Sequence, residues 1–148
     1  MAQAPIKIRP FEFNDFPQWL PLWNENNLGH INEPVTTSTW GRLMDEQSSV
    51  KGLAAMEGDV MAGFLHYILH PVTGHIEPAC YMQDVYVSPA FRQKGIGLKL
   101  VRELADIGKK QKWARLYWLA EAQNEAAQAL YKKIGVKLNF TLHVLPLS

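Results

Sequence analysis

The chain has 148 residues, of which 47% are hydrophobic and 20% are charged, so it is long enough for one buried core and too apolar for a disordered protein. A formal net charge of +1 gives no support for a nucleic-acid or membrane-surface partner. The single cysteine, Cys80, and the lack of an apolar run of membrane-spanning length predict one cytoplasmic domain over residues 1–148, without disulfides.

The first part of the chain predicts one strand and two helices. Apolar and polar residues alternate over Ile6–Phe11, which is typical of a strand. A helix follows, because four apolar residues recur at helical spacing: Phe16, Trp19, Leu20 and Trp23. Pro21 predicts a kink or an early end of this helix. Turn-favouring residues predict a loop over 24–37, and a second short helix is expected over 38–45.

The rest of the chain predicts five more strands and two more helices. Strands are predicted over 51–56, 60–69, 79–87, 114–120 and 136–145. Helices are predicted over 97–109 and 124–134, with Gly135 as the stop signal of the second. The order β-α-α-β-β-β-α-β-α-β predicts a mixed α/β (α+β) domain, antiparallel in front and with a βαβ unit behind.

A basic loop with two glycines separates the strand 79–87 from the helix 97–109. Its sequence, Arg92-Gln93-Lys94-Gly95-Ile96-Gly97, would present backbone N–H groups at the positive end of a helix dipole. A P-loop needs Gly-Lys-Ser/Thr, and a dinucleotide fingerprint needs a small residue where Leu100 stands. The residues by themselves leave two alternatives: an anion site, or a plain turn with solvated charges.

Two motifs resemble the acetyl-CoA-binding core of the GCN5-related N-acetyltransferase (GNAT) superfamily. The first is Arg92-x-x-Gly95-x-Gly97 after "DVYVSP", and the second is "NEAAQALYKKIG", which begins at Asn124. The match covers roughly residues 80–136. Within the superfamily, the chain resembles the histone and polyamine acetyltransferase subgroup known from yeast. The resemblance implies the GNAT acyl-CoA N-acyltransferase fold. It also implies an acetyl-CoA-dependent N-acetyltransferase that works by direct transfer in a ternary complex.

The resemblance implies that the glycine loop holds the pyrophosphate of coenzyme A, while strand 79–87 bonds the pantetheine through its main chain. Asn124 would contact the cofactor, and it is equally suited to cap its helix. The complete implied cofactor-binding set is Val85, Tyr86, Val87, Arg92, Gln93, Lys94, Gly95, Ile96, Gly97, Leu98, Asn124 and Tyr131. No metal is expected.

By the same resemblance, the main-chain N–H of Val85 donates to the thioester oxygen, and Tyr131 is the general acid that protonates the coenzyme A sulfur. A phenol can donate to a thiolate that forms beside it. The alternative is that Tyr131 only packs, because it lies on one helix face with Ala127 and Ile134.

The general base is left open by the sequence. Some family members carry a glutamate where this chain has Gln83, and an amide cannot take a proton. Asp84, Glu77 and Glu121 are the candidates, with Asp84 on the opposite face from Gln83 and Glu77 on the same face if the strand is unbroken. An amine can also lose its proton to water before it binds.

The acceptor is expected to be a small amine, a polyamine or an amino acid that enters over residues 24–37, where Glu25 and Glu33 favour a cation. Protein lysines or N-termini are the alternative acceptors. A non-catalytic acyl-CoA-binding module is the alternative from another class, and a nucleotide-dependent phosphoryl transferase is disfavoured because no carboxylate is placed for magnesium. The apolar tail "FTLHVLPLS" predicts a homodimer through an edge strand or a shared C-terminus.

Overall fold

A computed structural model describes residues 4–147, apart from the side chain of Ala126, as a five-stranded sheet with helices on both faces. The strands are β1 (Ile6–Pro10), β2 (Val50–Glu57), β3 (Val60–His70), β4 (Ala79–Val87) and β5 (Leu116–Trp118). The helices are α1 (Phe16–Asn26), α2 (Glu33–Met44), α3 (Ile96–Gln111) and α4 (Glu125–Lys132). Short 3-10 turns precede α1 and α3. No helix within the described range is long and apolar enough to cross a bilayer.

The sheet has the strand order β1-β2-β3-β4-β5, and this confirms the predicted mixed α/β architecture. The first four strands are antiparallel, whereas β5 returns through α3 to lie parallel to β4. The two parallel strands pair over only three residues each, Cys80–Met82 with Leu116–Trp118. From Gln83 to Val87, β4 therefore has no described neighbour on its β5 side, and a gap opens between the two strands.

Each face of the sheet has its own buried cluster. On one face, α3 contributes Ile96, Leu100, Val101 and Leu104 to a core that includes Leu65 and Met82. Helical spacing of those four residues is what gives α3 a continuous apolar stripe. On the other face, α1 and α2 pack aromatic side chains on β3: Trp19 and Trp40 lie against Phe64. We call these the α3 face and the α1 face.

A bulge in β4 changes which face its residues occupy. His66 lies opposite Asp84 and Tyr67 lies opposite Met82, so Gln83 is an extra residue without a partner on β3. Met82 is therefore buried on the α3 face, while Asp84 contacts His66 on the α1 face. Bulges of this kind re-aim side chains and are common beside active sites.

The front loop is shorter than predicted, and this expectation was wrong. The predicted loop 24–37 is confined to 27–32, because α1 continues through Pro21 to Asn26 and α2 already begins at Glu33. The side chain of Asn32 accepts from the Val35 N–H at 3.2 Å and caps α2. Pro34 lies in the first turn, where its missing N–H would have had no helical partner.

The predicted last strand over 136–145 is also wrong for a single chain. Residues 136–147 form no strand, and the apolar side chains at alternating positions are exposed: Val136, Leu138, Phe140, Leu142 and Val144. The alternation is real, but a strand needs a neighbour for its main-chain hydrogen bonds. Within residues 4–147 of one chain, no strand lies beside this segment.

Candidate active site

The glycine loop has a backbone suited to an anion. Gln93 and Gly95 both have left-handed backbones, with φ of 64° and 75°, directly before α3 begins at Ile96. Left-handed residues next to right-handed ones turn successive N–H groups into one concavity. The first amides of α3 add to it, because they have no carbonyl four residues earlier within the helix. The anion-site alternative is therefore favoured over a plain turn.

Two cations of the loop have defined neighbours. The Arg92 Nε donates to the Val87 carbonyl at 3.0 Å, and its guanidinium lies 5.5 Å from the centre of the Tyr86 ring. The Lys94 ammonium lies 5.3 Å from the centre of the Phe91 ring. Both side chains are exposed. Arg92 thus fixes the loop to the end of β4 and adds positive charge beside the concavity.

The main chain of β4 presents Val85 to the gap. The Ser88 N–H donates to the Ala62 carbonyl at 2.8 Å, so Ser88 faces β3. The Tyr86 carbonyl faces β3 as well, since a Cβ built on Gly63 would lie 2.5 Å from its oxygen. Backbone direction alternates along a strand. Val85 and Val87 therefore point their N–H and C=O groups away from β3, toward the side where β5 has ended.

Tyr131 lies on α4 at the edge of the α3 face. Its ring centre is 5.2 Å from that of Trp118, at the end of β5, and it packs on the α3-face core. The neighbouring Leu130 is 3.7 Å from the position a Cβ would take on Gly97, so α4 lies beside the glycine loop. Burial raises the pKa of the Tyr131 phenol above its ordinary value of 10.0. The phenol is therefore in its proton-bearing form at neutral pH.

Asn124 has the capping role that the sequence allowed. Its side chain accepts a hydrogen bond from the Ala127 N–H at 3.0 Å, at the start of α4. A contact from Asn124 to the cofactor stays a prediction.

The three candidate bases are not equivalent in the structure. Glu77 precedes β4 altogether, and the bulge at Gln83 breaks the strand, so the condition under which Glu77 would share the face of Gln83 is not met. Glu121 is exposed beyond the end of β5. Asp84 directly precedes Val85 and its side chain is 21% exposed on the α1 face. Of the three, only Asp84 lies on β4 next to the gap.

His66 is a residue of this site that sequence reasoning missed. Its ring lies between two partners, with Nδ1 at 3.0 Å from Asp84 Oδ2 and Nε2 at 3.0 Å from the Trp19 indole nitrogen. Asn26 of α1 donates to the second Asp84 oxygen at 3.2 Å. A correct register for the β3–β4 hairpin would have placed His66 opposite Asp84, and that is the signal that could have found it.

Glu25 also belongs to this side of the sheet. The Tyr86 hydroxyl donates to Glu25 Oε2 at 2.7 Å, which joins the last turn of α1 to β4. Burial and the bond to Glu25 raise the pKa of the Tyr86 phenol. Glu25 is thus part of a helix beside the gap, and not of a loop as the sequence predicted, whereas Glu33 opens α2.

Comparison with known proteins identifies the family. Residues 11–136 match the acetyltransferase (GNAT) family. The D-amino-acid N-acetyltransferase HPA3 of Saccharomyces cerevisiae is 31% identical over 97% of this chain and 92% of its own length. A thialysine N-epsilon-acetyltransferase of Caenorhabditis elegans is 28% identical over 68% of this chain and 62% of its own length.

Solved structures show the same fold at lower identity. A ribosomal-protein-alanine N-acetyltransferase from Brucella melitensis biovar Abortus 2308 superposes with a TM-score of 0.80 at 22% identity, covering 97% of this chain and 100% of its own. The aminoglycoside acetyltransferase AAC(6')-Iy, solved with a bisubstrate analogue that contains CoA, superposes with a TM-score of 0.83 at 17% identity. That match covers 98% of this chain and 99% of AAC(6')-Iy.

Proposed function

The chain belongs to the acetyltransferase (GNAT) family, and from that premise we propose that it transfers the acetyl group of acetyl-CoA directly to the primary amine of a small molecule in a ternary complex. The observation that carries the proposal is the gap between β4 and β5. An anion-binding loop and a phenol border it on the α3 face, and the Asp84 carboxylate borders it on the α1 face.

The residues of the gap fit acetyl-CoA. The amide concavity of Gln93 and Gly95 and the first turn of α3 would hold the pyrophosphate, with Arg92 and Lys94 as nearby cations. The outward main-chain groups of Val85 and the outward N–H of Val87 would bond the pantetheine as an added strand, while the Val87 carbonyl accepts from Arg92. When bound, acetyl-CoA supplies the activated acetyl group.

Three groups of this chain serve the transfer. The Val85 N–H donates to the thioester oxygen as that oxygen gains negative charge. The Tyr131 phenol gives its proton to the departing sulfur, and it carries that proton at neutral pH because burial raises its pKa. Asp84 lies on the acceptor side, where a carboxylate favours a cationic amine and can take its proton.

The two substrates approach from opposite faces. The pyrophosphate site is at the start of α3, on one face of β4, so the open route for the amine is on the α1 face. Glu25 and Asp84 give that route a negative character. The names of the relatives cited above, which refer to D-amino acids and thialysine, support small amino-bearing acceptors for this chain too.

Acetyl-CoA-dependent thiol release should test this proposal directly. We expect turnover with one class of amine in a panel of D- and L-amino acids, thialysine, spermidine, an aminoglycoside and a lysine-bearing peptide. Binding of acetyl-CoA is measured in parallel by calorimetry. Tight binding with no release from any amine would replace the proposal with the non-catalytic acyl-CoA-binding module.

We also propose a cytoplasmic homodimer, in which residues 136–145 of one copy pair with the free edge of β5 in another. β5 is the edge strand among the described residues, and the alternating side chains of this segment are 64–86% exposed. Unpaired edges and exposed apolar stripes favour strand addition. The single buried thiol, Cys80, suits a reducing compartment.

Lysine at both Phe140 and Leu142 is expected to convert the dimer to a monomer, because both side chains lie on the apolar stripe. Sedimentation should show a mass that falls from about twice 16.8 kDa to 16.8 kDa at micromolar concentration. Thr141→Lys, on the opposite side of the same segment, is the matched control and should stay dimeric. A wild-type chain that sediments as a monomer would contradict the proposal.

A further inference from the structure

His66 has a fixed pattern of hydrogen bonds in the α1-face core, where it is 3% exposed. The Trp19 indole nitrogen, 3.0 Å from His66 Nε2, can only donate. Nε2 must therefore be unprotonated and accept. In a neutral imidazole the hydrogen is then on Nδ1, and Nδ1 donates to Asp84 Oδ2 at 3.0 Å.

Aromatic packing prevents the His66 ring from turning. The Phe64 ring stacks on it with centres 4.4 Å apart and an interplanar angle of 17°. The Trp23 and Phe11 rings lie 5.6 Å and 5.9 Å from it at tilted angles. A ring held in this way directs its Nδ1–H along one line, toward Asp84.

The Asp84 carboxylate receives one donor on each oxygen. His66 donates to Oδ2, and Asn26 of α1 donates to Oδ1 at 3.2 Å. An ionised carboxylate has about four acceptor positions, so about two remain. The side chain is 21% exposed and directly precedes Val85. Two hydrogen bonds fix the plane of the carboxylate, while part of the side chain stays exposed on the α1 face.

We propose that His66 is a positioning residue, which holds Asp84 in the orientation that binds the ammonium group of the acceptor and takes one of its protons. This inference rests on the proposed function. In the step, an N–H bond of the ammonium breaks, its electron pair stays on nitrogen, and an O–H bond forms on Asp84. The neutral amine is then the nucleophile, and the proton leaves Asp84 for solvent.

His66 itself does not receive that proton. The lone pair of Nε2 already accepts from Trp19, and Nδ1 already carries a hydrogen. A hydrogen on Nε2 would point at the N–H of the Trp19 indole, so two donors would face each other without an acceptor in an apolar environment. The histidine therefore acts through Asp84, and the fixed direction of its donor is what it contributes.

Two substitutions at position 66 separate its two hydrogen bonds. Asparagine places an amide nitrogen near the position of Nδ1, so His66→Asn keeps the donor to Asp84 and loses the acceptor for Trp19. Glutamine places an oxygen near Nε2, so His66→Gln keeps the acceptor and loses the donor. We expect His66→Gln to lower kcat/KM for the amine about 10- to 100-fold and His66→Asn to lower it less than about threefold. KM for acetyl-CoA should stay the same in both.

A double-mutant cycle distinguishes positioning from a purely structural role. In an Asp84→Asn background, adding His66→Gln should change kcat/KM for the amine less than about twofold, because the residue it acts through is already altered. Equal losses of kcat/KM in His66→Gln and His66→Asn would overturn the inference, and so would full additivity of Asp84→Asn and His66→Gln in the cycle. Either result would leave the acetyltransferase proposal standing. A wild-type enzyme that neither binds nor acetylates any amine of the panel would overturn both.

Discussion

Replacing Tyr131 with phenylalanine is expected to lower kcat about 100-fold or more, with acetyl-CoA affinity unchanged within about twofold. Phenylalanine keeps the ring that packs 5.2 Å from Trp118, so the fold and the cofactor loop should be undisturbed. Only the O–H is lost, and with it the proton for the departing sulfur. Stopped-flow thiol release and acetyl-CoA calorimetry on the same preparations give the two numbers.

The matched control is Tyr117→Phe. Tyr117 is the β5 residue next to Trp118, and its hydroxyl lies 2.7 Å from the Nε2 of His70, at the end of β3. The turnover of this variant should stay close to that of the wild type. A Tyr131→Phe enzyme whose turnover remains within about twofold of wild type would mean that Tyr131 only packs, as the alternative interpretation of the sequence held.

The pH dependence of turnover follows from the direction of the Tyr131 shift. Burial raises the pKa of the phenol above 10.0, so the acid form predominates up to about pH 9 and still exceeds half of the population at pH 10. A large loss of activity below about pH 9 must therefore have another cause. The acid limb, where the acceptor amine becomes protonated, is the part that should differ between amines of different basicity.

Local periodicity was enough to predict most of the sheet and its main helix. The strands β2, β3 and β4 and the helix α3 begin and end within two residues of the predicted limits. Alternation and helical spacing are properties of neighbouring residues, so they can be read locally. The glycine loop was likewise predictable, since its positive-φ positions and following helix are encoded in one short stretch. The family match confirms what that stretch and the second motif indicated.

The acceptor side was not predictable in the same way, because it depends on register. His66 and Asp84 are 18 residues apart, and they meet only because Gln83 is bulged out of the β3–β4 ladder. A one-residue change of register reverses the face of every side chain in a strand. The face proposed for Glu77 depended on an unbroken strand in the same way, and the bulge at Gln83 breaks it. The tail over 136–145 failed for a different reason, since its strand pattern has no partner within one chain.

An ion pair beneath α1 determines how well the acceptor side is held. Arg9 of β1 donates twice to Asp15, at 2.8 Å and 2.9 Å, and the Glu12 N–H donates to the same carboxylate at 2.7 Å. Asp15 is 4% exposed at the start of α1, the helix that carries Trp19 and Asn26. Burial would raise the pKa of Asp15, but the bonds from Arg9 and Glu12 outweigh it and lower the pKa below 3.8.

Asp15→Asn is expected to lower the free energy of unfolding at pH 7 by roughly 3 kcal/mol, because it removes the buried carboxylate that bonds Arg9 twice and leaves only the exposed Glu12 near that charge. A carboxylate with a lowered pKa stabilises the fold above its unfolded pKa, and this contribution is lost as pH falls through the folded value. Urea unfolding should therefore show a wild-type advantage that is full at pH 7 and shrinks below about pH 4. Glu12→Gln is the control: its carboxylate is 3.8 Å from Arg9 and 67% exposed, so it should cost less than about 1 kcal/mol. Equal destabilisation by the two substitutions, or a difference that does not change with pH, would show that the Asp15 charge does not hold α1 in place.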